Sequence, residues 1–356
     1  MLKRDGSGEV TVSLFHLVTA NEMGGVRNTT VQRIEAHRHR RQIRRTQTRR
    51  PRVTYMLGYA GRNNTLRDQQ SPVRCNRGMQ KKTWEEKGLP YAGELAEQNF
   101  NDLLTILKWN HEHGIGFYRC TSQSFVPWNS QYEIEALPNI DTIREIATRC
   151  GEFIQSHDMR LSFHPDYFVK PASTTQSTRE KARKSLENHG SWLDLMNLPQ
   201  TTDYPINIHM GGHYGDKEET ADRFAAFIET VSPSVVDRLV IENDDNPNLW
   251  SVTELVEDIY PTTGCPVTFD YHHHAFSAEG TTYREGFELA AETWDPRPVT
   301  HYSEPAVLHG EDAGRPQTHS SYVNRVPSWL RSQADIMIEC DGKELAVDRI
   351  QTATYN

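Results

Sequence analysis

Between Arg160 and Glu339, six apolar runs follow one another, and each ends in a side chain able to ligate a metal. They are RLSFH to His164, INIHM through His209, LVIEN through Glu242, PVTFD to Asp270, PVTHY through His301 and DIMIE to Glu339. The runs are rich in Val, Ile and Phe, as strands are, and roughly 30 to 45 residues separate their ends, room for one helix each. That is the rhythm of repeated βα units, which deliver chemistry at the carboxyl ends of their strands. A single histidine at a strand end is more often a satisfied polar residue than a ligand. Three histidines and three carboxylates arriving in the same way are better read as one cluster.

The rest of the chain supplies two more strands. Val53 to Tyr59 (VTYMLGY) and Ile115 to Cys120 (IGFYRC) read as strands one and two. Between them come a loop from Ala60 to about Gly93, carrying Arg62, Arg67, Arg74, Arg77, Lys81, Lys82 and Lys87, and a helix over Glu94 to His113 ended by Gly114. Further helices are expected at Ile140 to His157, at Arg179 to Met196 after an exposed loop from Lys170 to Thr178, and at Lys217 to Val231. Others are expected from Ser251, where Glu254 completes a capping box, at Arg284 to Thr293 and at residues 325 to 331. Eight strands with intervening helices predict an α/β fold, a TIM-type (β/α)8 barrel over residues 53 to 356. A doubly wound open sheet is the alternative, but the chain has no Gly-rich phosphate turn.

Charge divides the chain. The net charge is -9, from 39 Lys+Arg against 48 Asp+Glu, yet residues 27 to 52 hold ten arginines and one acid. Residues 1 to 52 therefore read as a basic N-terminal extension with little apolar periodicity: a disordered arm, an upstream start codon in the gene model, or an organelle-targeting leader. Five cysteines without a CxxC pair suit reduced thiols inside a cell. No apolar run reaches the ~18 residues that would cross a bilayer, and no secretory h-region opens the chain. The expectation is a monomer without a membrane partner, cytoplasmic and nucleoid-associated, or nuclear or organellar in a eukaryote.

Mixed imidazole and carboxylate donors without thiolate suit Zn²⁺, Mn²⁺, Mg²⁺ or Fe²⁺ and argue against a structural zinc site. Two or three such ions, ~3.5–4 Å apart, would clamp an in-line displacement at phosphorus. Asp270-Tyr-His-His-His adds three adjacent histidines. If that segment is extended, successive side chains point opposite ways, so His273 is chosen as the inward one. His272 and His274 are then placed behind it or at the surface, and His213 in a loop.

At these residues the sequence resembles the UV damage endonuclease family, metal-dependent DNA repair enzymes with a TIM-type barrel related to endonuclease IV. The stretches that carry the resemblance are LGYAGRNNTL (57 to 66), RLSFHP (160 to 165), INIHMGGHYGDK (206 to 217) and LVIENDD (239 to 245), then PVTFDYHHHA (266 to 275), RPVTHYSEP (297 to 305) and IMIECDGKE (336 to 344). They occur in the family's order and exclude the basic leader. The resemblance implies a three-metal site, generally Mn²⁺. In it Glu242 bridges two ions, His164 and His209 complete one, Asp270, His301 and Glu339 complete the other, and His273 and His319 bind the third. Glu242, Asp270, His301 and Glu339 would be the catalytic set. The partner implied is damaged double-stranded DNA, cut immediately 5′ to cyclobutane dimers or (6-4) photoproducts to leave 3′-hydroxyl and 5′-phosphate ends.

For damage recognition, the resemblance places Tyr59 beside the extruded lesion, Tyr167 and Phe168 in the gap, and Asn63 and Arg67 against the DNA, with the basic loop on phosphates. The chain departs from the family in two places. Asp166-Tyr167-Phe168 stands where Gly-Gln-Tyr is common, and Val299 stands where some members carry a modified lysine. Two other readings come from the same residues: a metal-dependent sugar isomerase or epimerase of this barrel class, and a damage-binding protein that does not cut.

Overall fold

In the computed structural model, residues 55–122, 124–295 and 297–354 are described. The basic extension of residues 1 to 52 lies outside them. Eight strands of four residues each, all parallel, close into a barrel in sequence order: β1 (Leu57–Ala60), β2 (Phe117–Cys120), β3 (Arg160–Phe163), β4 (Ile206–His209), β5 (Leu239–Glu242), β6 (Val267–Asp270), β7 (Val299–Tyr302) and β8 (Asp335–Ile338). β1 and β8 pair to complete the ring, Gly58 opposite Met337. The expected barrel is the one that forms.

Helices follow the strands: α1 (Lys81–Glu112), α2 (Ile140–Ser156), α3 (Gln176–Leu195), α4 (Lys217–Ile228), α5 (Tyr283–Glu292), α6 (Ser328–Gln333) and α7 (Glu344–Thr354). Between β5 and β6 a helical run opens at Ser251, whose side chain and that of Glu254 form the anticipated capping box. Among the described residues no helix is long and apolar enough to cross a membrane.

Strand parity separates two apolar environments, because successive side chains leave a strand on opposite faces. Tyr59, Tyr118, Leu161, Phe163, Ile206, Ile208, Ile241, Phe269 and Ile338 belong to one large core beneath the helices. Ala60, Phe117, Val240, Val299 and Met337, which share the lumen parity, form a second, smaller cluster together with Trp294. Val299 thus fills lumen volume two residues below His301. Gly58 belongs to the lumen parity, and a Cβ there would overlap the carbonyl of Phe117, so only glycine lets β1 approach β2 this closely.

Several boundaries differ from the sequence expectation. The stretch read as one loop from Ala60 to Gly93 contains a short helix, Asn64–Arg67, and the first turns of α1, which kinks at Gly88 (φ 56°) ahead of Pro90. Much of its charge is spent locally. Arg77 pairs with Asp102 at 2.5 Å, Arg67 with Asp68 at 2.6 Å, and Lys81 and Lys82 face Glu85 and Glu86 one turn on. α7 was not expected. Its first residue, Glu344, is buried and accepts from the backbone N–H groups of Asn64 and Thr65 at 2.8 and 2.7 Å, so it caps the short helix 280 residues away.

Candidate metal centre

Residues of lumen parity at the carboxyl ends of the strands form the upper layer of the barrel interior. Glu242 lies at its middle, buried on β5. Its Oε2 is 2.9 Å from Nε2 of His164 and 3.9 Å from Nε2 of His209, and it accepts a hydrogen bond from Asn207 Nδ2. Its Oε1 faces Nδ1 of His301 at 3.0 Å and Nδ1 of His273 at 3.4 Å. Nδ1 of His301 is also 3.1 Å from Glu339 Oε1 and 3.8 Å from Asp270 Oδ2.

Two sets of donor atoms, each within 4.8 Å of one another, could therefore hold metal ions: His164, His209 and Glu242, and Glu242, Asp270, His301 and Glu339. Glu242 belongs to both. Asp270 Oδ2 is buried without a hydrogen-bond partner, an oxygen whose desolvation a cation would offset. Oxygen and imidazole donors without thiolate fit a hard or borderline divalent ion.

The electrostatics point the same way. Burial penalises the Glu242 carboxylate, but His301, His209 and His164 outweigh it and hold the group well below the ordinary range. Burial likewise opposes the charged form of His209, yet Glu242 and Asp244 push its imidazole up to about 10. His301 and His273 are also raised, against burial, by Glu242 with Glu339 and by Asp270 with Glu242 respectively. His164 is lowered by burial despite its bond to Glu242. The carboxylates thus favour a positive charge at this position, the role a metal cation would take. Since a ligating nitrogen must be unprotonated, loading should release protons and tighten as pH rises through neutrality. Calorimetric titration with Mn²⁺ at pH 7 in two buffers of different ionisation heat should give different heats; identical heats would show the imidazoles already neutral.

The other expected site residues fall in three groups. His273 is beside the centre, for a reason other than the one anticipated. Tyr271–His274 is a helical turn, not an extended segment, and Asp270 caps it by accepting from the His273 N–H at 2.7 Å. Three residues along a helix return to the same side, so His273 sits next to Asp270. His272 and His274 are both buried rather than at the surface. His272 stacks on His319 with ring centroids 4.3 Å apart, and His274 packs against Phe269. His319 itself is bonded through Nδ1 to Ser303 Oγ at 2.6 Å, with its ring centroid 6.4 Å from that of His273. Neither His273 nor His319 belongs to the two donor sets.

Tyr59 and Asn63 are both buried and held by internal hydrogen bonds. Tyr59 has outer parity and is fully buried, its hydroxyl donating to Asn110 Oδ1 at 2.8 Å and accepting from Asn63 Nδ2 at 2.9 Å. Asn63 is buried too and caps the short helix by accepting from Leu66 N. Both side chains support the loop after β1. Arg67 is at the surface with Asp68. Tyr167 and Phe168, by contrast, are 82 % and 58 % exposed on the loop that follows β3 and His164.

Two residues that sequence reasoning passed over stand at the centre. Arg119 on β2 ion-pairs with Glu339, and Asn207, two before His209 and of the same parity, holds Glu242. The signal for each was a polar side chain of lumen parity inside an apolar run, FYRC and INIH.

The family model for UV-endonuclease UvdE matches residues 55–354. The UV-damage endonuclease of Schizosaccharomyces pombe is 32 % identical over 303 residues, covering 82 % of this chain and 49 % of that protein. The UV DNA damage endonuclease of Bacillus thuringiensis subsp. konkukian is 29 % identical over 265 residues, 71 % of this chain and 80 % of that one. The chain thus spans about half the length of the Schizosaccharomyces relative and most of the bacterial one. Among solved structures, that of SacUVDE superposes with a TM-score of 0.72 at 26 % identity, covering 85 % of this chain and 98 % of its own.

Proposed function

The chain belongs to the UV-endonuclease UvdE family, and from that premise we propose that it is a metal-dependent DNA repair endonuclease. It would cut one phosphodiester immediately 5′ to a UV photoproduct and leave 3′-hydroxyl and 5′-phosphate ends. The observation that carries the reading is the sharing of Glu242 between two donor sets at the mouth of the barrel. In the proposed assignment His164 and His209 complete one ion's ligands, Asp270, His301 and Glu339 complete the other's, and His273 with His319 serves a third. Divalent ions held there, Mn²⁺ by preference, would stabilise the charge that develops on both the attacking and leaving oxygens of an in-line displacement. Asn207 fixes the Glu242 carboxylate, Asp244 faces Nδ1 of His209 at 3.2 Å, and Arg119 orients Glu339, so the protein holds the donors in place before substrate arrives.

Tyr167 and Phe168 support recognition of damage by local weakness rather than by sequence. A photodimer disturbs pairing and stacking, so opening the duplex costs least at the lesion. Two exposed rings on a loop adjoining the centre can fill the gap, and stacking on a base contributes about 1–3 kcal/mol per ring. Replacing both by alanine should lower affinity for photodimer duplex by about tenfold or more, with little change for undamaged duplex and none for Mn²⁺. Competition binding with the two duplexes checks this, and equal losses on both would remove the recognition role.

The activity itself is tested with purified protein, a duplex carrying one defined photodimer, and either Mn²⁺ or EDTA. A Mn²⁺-dependent nick 5′ to the lesion is expected. Specific binding without a nick would favour a damage-binding protein, and turnover of a ketose without effect on DNA would favour an isomerase.

A further inference from the structure

A cavity of about 610 Å³ opens over the ends of β1 to β4 and the start of α7, and two of its wall residues are His164 and His209. Its lining also carries three cationic side chains from three separate segments: Arg62 after β1, Arg119 at the end of β2, and Lys343 at the head of α7. Thr121, Ser122 and Asn76 add neutral hydrogen-bonding groups to the lining. The centre's carboxylates do not account for all three cations. Arg119 is the one that pairs with Glu339. Arg62 donates through Nε to Asn64 Oδ1 at 3.2 Å, a neutral partner. Lys343 lies 3.8 Å from Asp341, whose side chain is 69 % exposed and whose attraction is therefore screened by water.

We propose that Arg62, Arg119 and Lys343 form a phosphate subsite that seats the backbone phosphodiester next to the one being cut. The proposal rests on the reading of the centre as a DNA-cutting site and adds the residues that set the strand's position on it. Its geometry is that of a clamp. Arg119 is anchored at one end to a proposed metal ligand, Glu339, while lining the cavity, so a phosphate held by it sits one step from the centre. Lys343 is held in the left-handed region (φ 53°), a backbone conformation a lysine adopts only where its surroundings impose it. That turn brings the side chain over the cavity, where it is mostly buried. Its ammonium is lowered first by burial, against Asp341, and Arg119 and Arg62 lower it further. Three like charges gathered round one space repel one another, and an anion between them removes that cost. Asp166 and Asp341 also line the cavity, so three cations there stand against two carboxylates. Of the seven cations between Arg62 and Lys87, Arg67, Arg77, Lys81 and Lys82 are paired with carboxylates, and Arg62 is the one that lines this cavity.

The test is binding of a fluorescein-labelled duplex with one cyclobutane dimer, in EDTA, across a salt series, for the wild type, R62Q, K343N and the double variant. Asparagine is chosen at 343 because it accepts a left-handed backbone, which keeps the turn. The dependence of log affinity on log salt should become shallower by about 1 for each cation removed and by about 2 in the double variant. Slopes equal to the wild type in both single variants would overturn the subsite, whatever happens to nicking. A wild type that neither binds nor nicks the duplex would instead sink the DNA reading. The subsite would then be judged by inorganic phosphate, whose rise in thermal midpoint for the wild type should vanish in the double variant; an equal rise in both would overturn it.

Discussion

Glu242→Gln is expected to abolish nicking of a photodimer duplex, with a loss of about 10³-fold or more in single-turnover rate, while the barrel still folds. The size follows from the position of the residue. Glu242 is the one side chain common to both donor sets, so losing its charge weakens two ions at once, and removing ~4 kcal/mol of transition-state stabilisation lowers a rate ~10³-fold. Glutamine keeps the shape but replaces one oxygen by an N–H₂ group that cannot ligate and that would face the imidazoles. The fold tolerates this because the carboxylate holds no strand in register. Its partners are Asn207, His164 and His301, all side chains of the same layer. Without that charge, the upward push on the imidazoles of His209 and His301 would also fall. Far-UV circular dichroism and thermal midpoint should stay close to the wild type, while Mn²⁺ affinity and nicking fall together. A variant that nicks at the wild-type rate would remove Glu242 from the bridging position.

The barrel and its ligand layer were legible in the sequence because strand periodicity and strand ends are local signals. A run such as LVIE or PVTFD announces both the strand and the side chain that its end delivers, and parallel closure then gathers those ends without any further instruction. What escaped were facts that depend on a partner far along the chain or on an unexpected local conformation. The expectation that Tyr59 sits beside the lesion comes from the resemblance alone, since nothing in LGYA marks which parity looks inward. The lumen side of β1 is Gly58 and Ala60, which carry no chemistry to notice. That His272 and His274 are buried was not legible because a helical turn follows Asp270 at once, and an aspartate is as good a cap as a ligand. Arg119 reaches Glu339 across 220 residues of sequence, and Glu344 caps a helix 280 residues away; neither pairing leaves a trace in spacing. The subsite that the cavity reveals is built wholly from such distant meetings.

The opposite end of the barrel provides the second large effect, this time on stability alone. Asp335→Asn should cost about 3–5 kcal/mol, since removing one partner from a buried ion network leaves the others uncompensated. Asp335 is fully buried at the start of β8, and its two oxygens divide their work. Oδ1 accepts from the backbone of Met56 at 2.8 Å, where β8 closes against β1, and faces Arg297 Nε at 3.2 Å; Oδ2 faces Arg160 Nε at 3.3 Å. Arg160, itself buried at the start of β3, is also tied to Asp203 Oδ1 and to the carbonyl of Arg297, each at 3.0 Å. Asparagine can keep the bond to Met56 but cannot balance two guanidinium groups. In a chain of this size the loss should lower the thermal midpoint by roughly 4–8 °C at a fixed scan rate. Arg160→Met placed on top of Asp335→Asn should cost less than the two changes summed, because the second removes a charge the first has stranded. The same protein gives the control. In barrels of this class the amino-terminal floor serves stability and the carboxyl-terminal face serves chemistry, so nicking per folded molecule should be unchanged at a temperature well below the lowered midpoint. A rate that fell with the midpoint would mean that the floor and the metal layer are coupled through the lumen cluster of Phe117, Val240, Val299 and Met337, which lies between them.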